Sequence, residues 1–141
     1  VYCRQIIDEA MRLFPPAAII SREAVADDQL LGREVKAGDT VILPVYTLHR
    51  HEHFWEDPMA FDPDNFAPEK VKERNRFLYL PFGAGPRICI GMSFAMMEAQ
   101  IILATLLARY RFEPKAGPAP EPVMTITLRP KGGMPLRFRK R

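Results

Sequence analysis

Phe82-Gly83-Ala84-Gly85-Pro86-Arg87-Ile88-Cys89-Ile90-Gly91 is the stretch on which the reading of this chain turns. It is a glycine-rich loop with one arginine and one cysteine, and a helical pattern starts directly after it. Glycine has no Cβ, so such a loop can bring its backbone close to something flat or bulky. The thiol of Cys89 stands just before a helix N-terminus, where negative charge is favoured. These residue types point to a cysteine ligand held out toward a large cofactor. Taken alone, the loop also reads as a redox-sensing or nucleophilic thiol.

The chain around it has 141 residues, enough for one modest domain with a core. At 48% hydrophobic and 26% charged it has the make-up of a globular protein. Its 14 prolines, roughly twice the average share of about 5%, require many turns. The net charge of +3 is mild, and basic residues cluster only at Arg137, Arg139, Lys140 and Arg141, a pattern of a solvated strand end rather than a nucleic-acid site. No stretch is expected to act as a membrane span, which needs about 18 or more apolar residues. Cys3 and Cys89, with no signal-peptide pattern in these residues, read as reduced thiols of a cytoplasmic protein. Val1 already lies inside a helical pattern, so the expectation is a segment of a longer chain.

Residues 2 to 14 place Ile6, Ile7, Ala10, Leu13 and Phe14 on one helical face, and Pro15-Pro16 ends that helix. Glu9 and Arg12 are neighbours on its surface. An exposed pair of this kind is worth only tenths of a kcal/mol; a proline-rich segment farther along the chain gives it more to do. Between Ala17 and Leu48, short apolar stretches separated by Gly and Asp turns indicate a small antiparallel sheet that carries Arg22. From Glu56 to Glu69, prolines alternate with aromatics in an irregular segment whose backbone polar groups need fixed partners elsewhere. The donor fork of Arg12 suits that need. Lys70 to Arg76 is charged and expected to be exposed. Met92 to Phe112 reads as one long helix, apolar on more than one face and therefore buried. Thr125–Leu128, the turn Lys131-Gly132-Gly133 and Leu136–Arg139 read as a closing hairpin.

His49-Arg50-His51-Glu52-His53 contains the inverted zinc-protease pattern His-x-x-Glu-His. That pattern needs a helix to put both histidines on one face. Pro44, Trp55 and Pro58 leave room for a short helical turn at most, so zinc hydrolysis ranks far below the loop's own chemistry.

The loop resembles the heme-binding signature Phe-x-x-Gly-x-Arg-x-Cys-x-Gly of the cytochrome P450 family, through Phe82, Gly85, Arg87, Cys89 and Gly91. Glu9 and Arg12 resemble its Glu-x-x-Arg helix, and Phe61 to Phe66 its meander. Leu48-His49-Arg50 ahead of Trp55 and Asp57-Pro58 is also similar to that family. The resemblance covers practically all of residues 1–141 as a single C-terminal portion of the domain. It implies an α+β segment of a mainly helical parent fold, in the order helix, small antiparallel sheet, meander, Cys-ligand loop, long buried helix and terminal hairpin.

The same resemblance implies heme b with Cys89 as the axial thiolate, which donates electron density to iron and favours O–O cleavage. Phe82 then packs beside the sulfur, Gly85 permits close approach, and backbone N–H groups near Gly91 stabilise the thiolate. Arg87 and Arg22 pair with heme propionates. Glu9 and Arg12 become a structural lock for the meander. The third member of that lock is often an arginine, and Asn65 stands here instead. His49 falls near a propionate in the same pattern and is assigned no role. The implied activity of the parent is monooxygenation: O2, electrons from a ferredoxin or flavin reductase, and one oxygen atom inserted into an apolar substrate. Oxygen-activating residues and most of the substrate pocket belong to residues before Val1, with membrane anchoring through that region left open. The segment alone is then expected to be inactive. A heme-thiolate peroxygenase or isomerase, and a non-catalytic remnant, stay as alternatives. Basic residues, Arg87 and Arg109 or Arg111 among them, are expected to help an acidic electron donor dock near the loop.

Overall fold

Helix α1 (Tyr2–Leu13) opens the chain in the computed structural model, which describes residues 1–141. Its buried face consists of Gln5, Asp8, Glu9, Arg12 and Leu13. The apolar face read from the sequence is therefore not the buried one: Ile6, Ile7 and Ala10 are half-buried and Phe14 is exposed. The polar face is inside because the irregular segment packs on it and offers carbonyl groups rather than apolar side chains.

The expected small sheet is two separate antiparallel pairs. Strand β1 (Ile20–Glu23) pairs with β4 (Thr40–Leu43), with Arg22 opposite Val41. Strand β2 (Asp28–Leu30) pairs with β3 (Arg33–Val35) across a turn at Leu31-Gly32. One helical turn, α2 (Val45–Leu48), leads into the meander, which contains a 3-10 turn at Pro63–Phe66 and helix α3 (Pro68–Glu73). A second 3-10 turn (Arg76–Leu78) precedes the loop.

Helix α4 (Met92–Arg109) follows the loop and packs on α1. It ends before the expected Phe112, because Tyr110–Pro114 is strand β5. Pro114 holds the residue before it in an extended conformation, and aromatic residues suit a strand. The expectation of a buried helix is not met within these residues: Met96 alone is buried. Phe94, Met97, Ile101 and Ile102 are each more than half exposed. The expectation that nothing here approaches a membrane span also needs correction. Helix α4 has 18 residues with a mean hydropathy of 1.3, enough by length and composition. Its packing on α1 and its direct continuation into β5 give it a place inside the fold.

The closing strands pair differently from the expected hairpin. Strand β6 (Pro122–Met124) pairs with β7 (Leu128–Pro130), and β8 (Leu136–Lys140) returns to β5. Thr125 to Thr127 form the turn between β6 and β7, where Thr125 N–H donates to the Thr127 carbonyl at 3.2 Å. Leu128–Pro130 before Lys131-Gly132-Gly133 is taken up by β6 and Leu136–Lys140 after it by β5, so the two do not pair with each other. Phe138 instead packs edge-on against Phe112, ring centres 4.9 Å apart.

Only 13 of the 141 residues are buried, so the core is small. Leu13, Ala18, Val45, Trp55, Phe66, Leu80 and Met96 form its apolar part, around the polar centre of α1.

Candidate functional site

The centre of the molecule is the Glu9–Arg12 pair, fully buried. Three residues apart on α1, the two side chains meet in a bidentate pair: Arg12 Nε to Glu9 Oε2 and Arg12 Nη2 to Glu9 Oε1, each 2.7 Å. Arg12 Nη1 also donates to the carbonyls of His49 (2.9 Å) and Pro58 (2.8 Å), and Nη2 to that of Ala60 (2.8 Å). These contacts use all five guanidinium donors. Glu9 Oε1 accepts from the Asp62 N–H at 2.9 Å and from Asn65 Nδ2 at 3.3 Å. A buried ion pair is tolerable only when its polar atoms find partners, and here every Arg12 donor is used and both Glu9 oxygens accept. The meander thus gets its shape from α1: a proline-broken backbone has few partners of its own, and the pair supplies them.

Asn65 reaches Glu9, and a further guanidinium enters the same corner from Arg74, outside the residues that the sequence singled out. Arg74 was expected on an exposed charged run. It is half-buried, lies 4.3 Å over the Trp55 ring, and donates to the Asn65 carbonyl. Burial lowers its pKa, with the Glu9 carboxylate acting in the opposite direction.

The loop lies beside this centre. Gly83 and Gly85 take the left-handed backbone at φ of +74° and +71°, the conformation for which glycine is needed. Gly85–Arg87 forms a 3-10 turn, and the Cys89 N–H donates to the Phe82 carbonyl at 3.0 Å, closing the loop on itself. The N–H of Cys89 is therefore used, while those of Ile90 and Gly91 have no protein acceptor. Cys89 is exposed, flanked by exposed Ile88 and Ile90, with Phe82 half-buried. A Cβ built on Gly91 would come 3.8 Å from the Cys89 sulfur, so Gly91 and the start of α4 lie against the thiol.

Strand β1 runs beside the loop: Ile20 Cδ1 is 3.6 Å from where a Cβ on Gly83 would stand. Arg22 projects from the same face of β1 as Ile20, two residues on. Its side chain is exposed and its hydrogen bond goes to the Ser21 carbonyl, at 2.7 Å. Neither Arg22 nor Arg87 has a carboxylate partner. Arg109 and Arg111, expected near the loop, are at the other end of α4. A helix of 18 residues spans about 27 Å, which removes them from the neighbourhood of Cys89.

His49, given no role from the sequence, is fully buried. Its Nε2 accepts from the Leu80 N–H at 2.8 Å, so the neutral ring carries its proton on Nδ1. Burial lowers its pKa from 6.5 to about 4. Helix α2 stops at Leu48 and the His49 ring is committed to Leu80, so the helical face that His-x-x-Glu-His requires does not form. Tyr79 lies 5.2 Å from the His49 ring, and its hydroxyl donates to Asp8, with burial raising its pKa. A cavity of about 470 Å3, lined by Arg4, Asp8, Tyr79, Leu80, Phe82 and Ile88 among others, opens on this side of the loop. Cys89 does not line it.

Comparison with known proteins places this arrangement. The family profile of cytochrome P450 matches residues 1–137. The chain is 40% identical over 131 residues to cyclooctatin synthase of Streptomyces melanosporofaciens, covering 92% of this chain and 28% of that protein. It is 43% identical over 115 residues to cytochrome P450 6a9 of Drosophila melanogaster, covering 79% of this chain and 23% of the relative. Among solved structures, the crystal structure of the cytochrome P450DA heme domain superposes with a TM-score of 0.90 at 31% identity. That match covers 99% of this chain and 30% of the solved one. The chain therefore spans less than a third of the length of these relatives.

Proposed function

The chain belongs to the cytochrome P450 family, a family of heme-thiolate monooxygenases, and we propose that it is a heme-binding part of such an enzyme, in which Cys89 would hold heme b as its thiolate ligand. One observation carries this reading: the loop presents the Cys89 thiol outward between exposed apolar residues, with a closing hydrogen bond behind it. The residues fit the group. A flat apolar macrocycle suits Ile88, Ile90 and Phe82, and its two propionates suit Arg22 and Arg87, which have no carboxylate of their own. Gly85 and Gly91 keep the backbone low beside it.

When bound, the heme supplies oxygen activation, and a thiolate ligand favours O–O cleavage. The chain's own residues would hold the sulfur and bind the periphery of the heme. Ile90 and Gly91 offer unpaired N–H groups, and the α4 N-terminus lies close by; both stabilise negative charge on Cys89. The Glu9–Arg12–Asn65 centre holds the meander against α1 and has no chemical step. Substrate and O2 would be bound by residues of the complete protein outside this chain.

The reaction of the complete polypeptide is insertion of one oxygen atom from O2 into an apolar substrate, with electrons from a ferredoxin or flavin reductase in the cytoplasm. The 141 residues alone bind heme weakly and do not hydroxylate, because the apolar faces of α4 have no cover. Turnover of the complete protein with isotopically labelled O2, a surrogate electron donor and a panel of apolar compounds tests the reading. One labelled oxygen per product is expected. Label taken from peroxide alone, or isomerised product without label, assigns a peroxygenase or an isomerase instead.

A further inference from the structure

The sequence assigned no work to His49, and the heme reading does not need it. Yet it is among the three largest fully buried side chains, with Arg12 and Glu9. The residue joins two different parts of the fold through its carbonyl and its Nε2. Its carbonyl accepts from Arg12 Nη1 at 2.9 Å, and its ring nitrogen Nε2 accepts from the Leu80 N–H at 2.8 Å. Leu80 is itself buried and stands two residues before Phe82, the first residue of the loop.

From Leu80 the connection continues without a gap. The Leu80 carbonyl accepts from the Gly83 N–H at 3.1 Å, which makes the turn at the loop entrance. Phe82, inside that turn, accepts from the Cys89 N–H at 3.0 Å. Tyr79 fixes the preceding residue to α1 independently, its hydroxyl donating to the Asp8 carbonyl at 2.9 Å. The stem of the loop is thus held to α1 at two adjacent points, and only the one through His49 also touches the Glu9–Arg12 centre.

We propose that His49 is a positioning residue for the Cys89 ligand: its ring accepts the Leu80 N–H and so sets the loop entrance in register with the Glu9–Arg12 centre. This rests on the heme-thiolate reading for what the loop holds, but the hydrogen bond itself needs no heme. The residue must offer an acceptor at the Nε2 position, inside a space shaped for a ring. Phenylalanine keeps the ring and loses the acceptor; glutamine keeps an acceptor at that reach and loses the ring. A residue that only filled space would show the opposite preference.

The test compares wild type, His49→Phe and His49→Gln in the complete heme protein. Amide hydrogen exchange at Leu80 and Gly83 should speed up roughly tenfold or more in His49→Phe, the factor expected from losing a buried hydrogen bond. The thiolate-type Soret band of the reduced carbon monoxide complex should give way in part to that of a neutral thiol. His49→Gln should restore both toward wild type. Unchanged exchange and an unchanged spectrum in His49→Phe overturn the proposal, as does a His49→Gln variant no better than His49→Phe. If neither variant folds, the bond is read in the unmodified protein as a scalar coupling between the Leu80 amide nitrogen and His49 Nε2. Its presence supports the proposal and its absence overturns it. A wild type without a thiolate-type band contradicts the heme reading separately, and exchange and coupling still decide the role of His49.

Discussion

Helix α1 buries Gln5, Asp8, Glu9, Arg12 and Leu13, while α4, half as long again, buries Met96 alone and leaves Phe94, Met97, Ile101 and Ile102 in solvent. One helix is polar where it is covered; the other is apolar where it is open. The difference comes from what lies opposite each helix. Against α1 stands a segment broken by prolines, whose carbonyls need donors, and Arg12 supplies three, with its other two on Glu9. Against most of α4 there is nothing in these residues, although its composition is that of a helix covered on several sides. Under the functional reading, α1 is already complete, and α4 takes its cover from the remainder of the cytochrome P450 domain.

The comparison breaks most readily at Arg12. Arg12→Ala leaves Glu9 charged and buried, and should cost about 3–5 kcal/mol in a urea or thermal unfolding measurement. Arg12→Lys, which keeps the charge and loses the fork, should still cost at least about 2 kcal/mol.

His49 gives the polar centre a pH dependence. Its pKa lies near 4 in the fold against an ordinary 6.5, because burial disfavours the imidazolium. Below pH 6.5 the unfolded chain takes up a proton that the folded chain refuses. This contribution to stability is therefore complete above pH 6.5 and is lost as the pH falls toward about 4, by up to about 3 kcal/mol. Unfolding curves across that range should lose most of this slope in His49→Gln.

Asn65→Ala removes one longer hydrogen bond to Glu9, and a loss of about 1 kcal/mol is expected by the same unfolding measurement. The smallest effect sharpens the contrast from the other side. Ile101→Glu on the open face of α4 should change the stability of the 141-residue chain by no more than about 0.5 kcal/mol, and reduce its aggregation in light scattering. In the complete protein the same change should be severely destabilising. Equal, small effects in both would show that this face stays uncovered.

Local signals were legible in advance. The glycine loop, the helix ended by Pro15-Pro16 and the pairing of Glu9 with Arg12 depend on neighbours within a few residues. Long-range choices were less so. Strand β8 passes over its sequence neighbour β7 to reach β5, where Phe138 packs on Phe112. Arg74 looked like part of a solvated run, because nothing near it in sequence tells of Trp55. His49 was masked by a metal-like pattern, whereas its partner is a backbone N–H 31 residues away, which leaves no trace in side-chain identity. For α1, the periodicity of Ile6, Ile7 and Ala10 identified a helix correctly and its buried face wrongly, since buried polar groups can outweigh apolar ones when their partners are backbone carbonyls.

The central claim is that Cys89, held by this loop, is the ligand of a heme. A reduced carbon monoxide difference spectrum of the complete protein, recorded beside Cys89→Ala, tests it most directly. A strongly red-shifted Soret band that disappears in Cys89→Ala is the expected result. No such band in the unmodified protein, or a band that survives the substitution, would contradict the assignment.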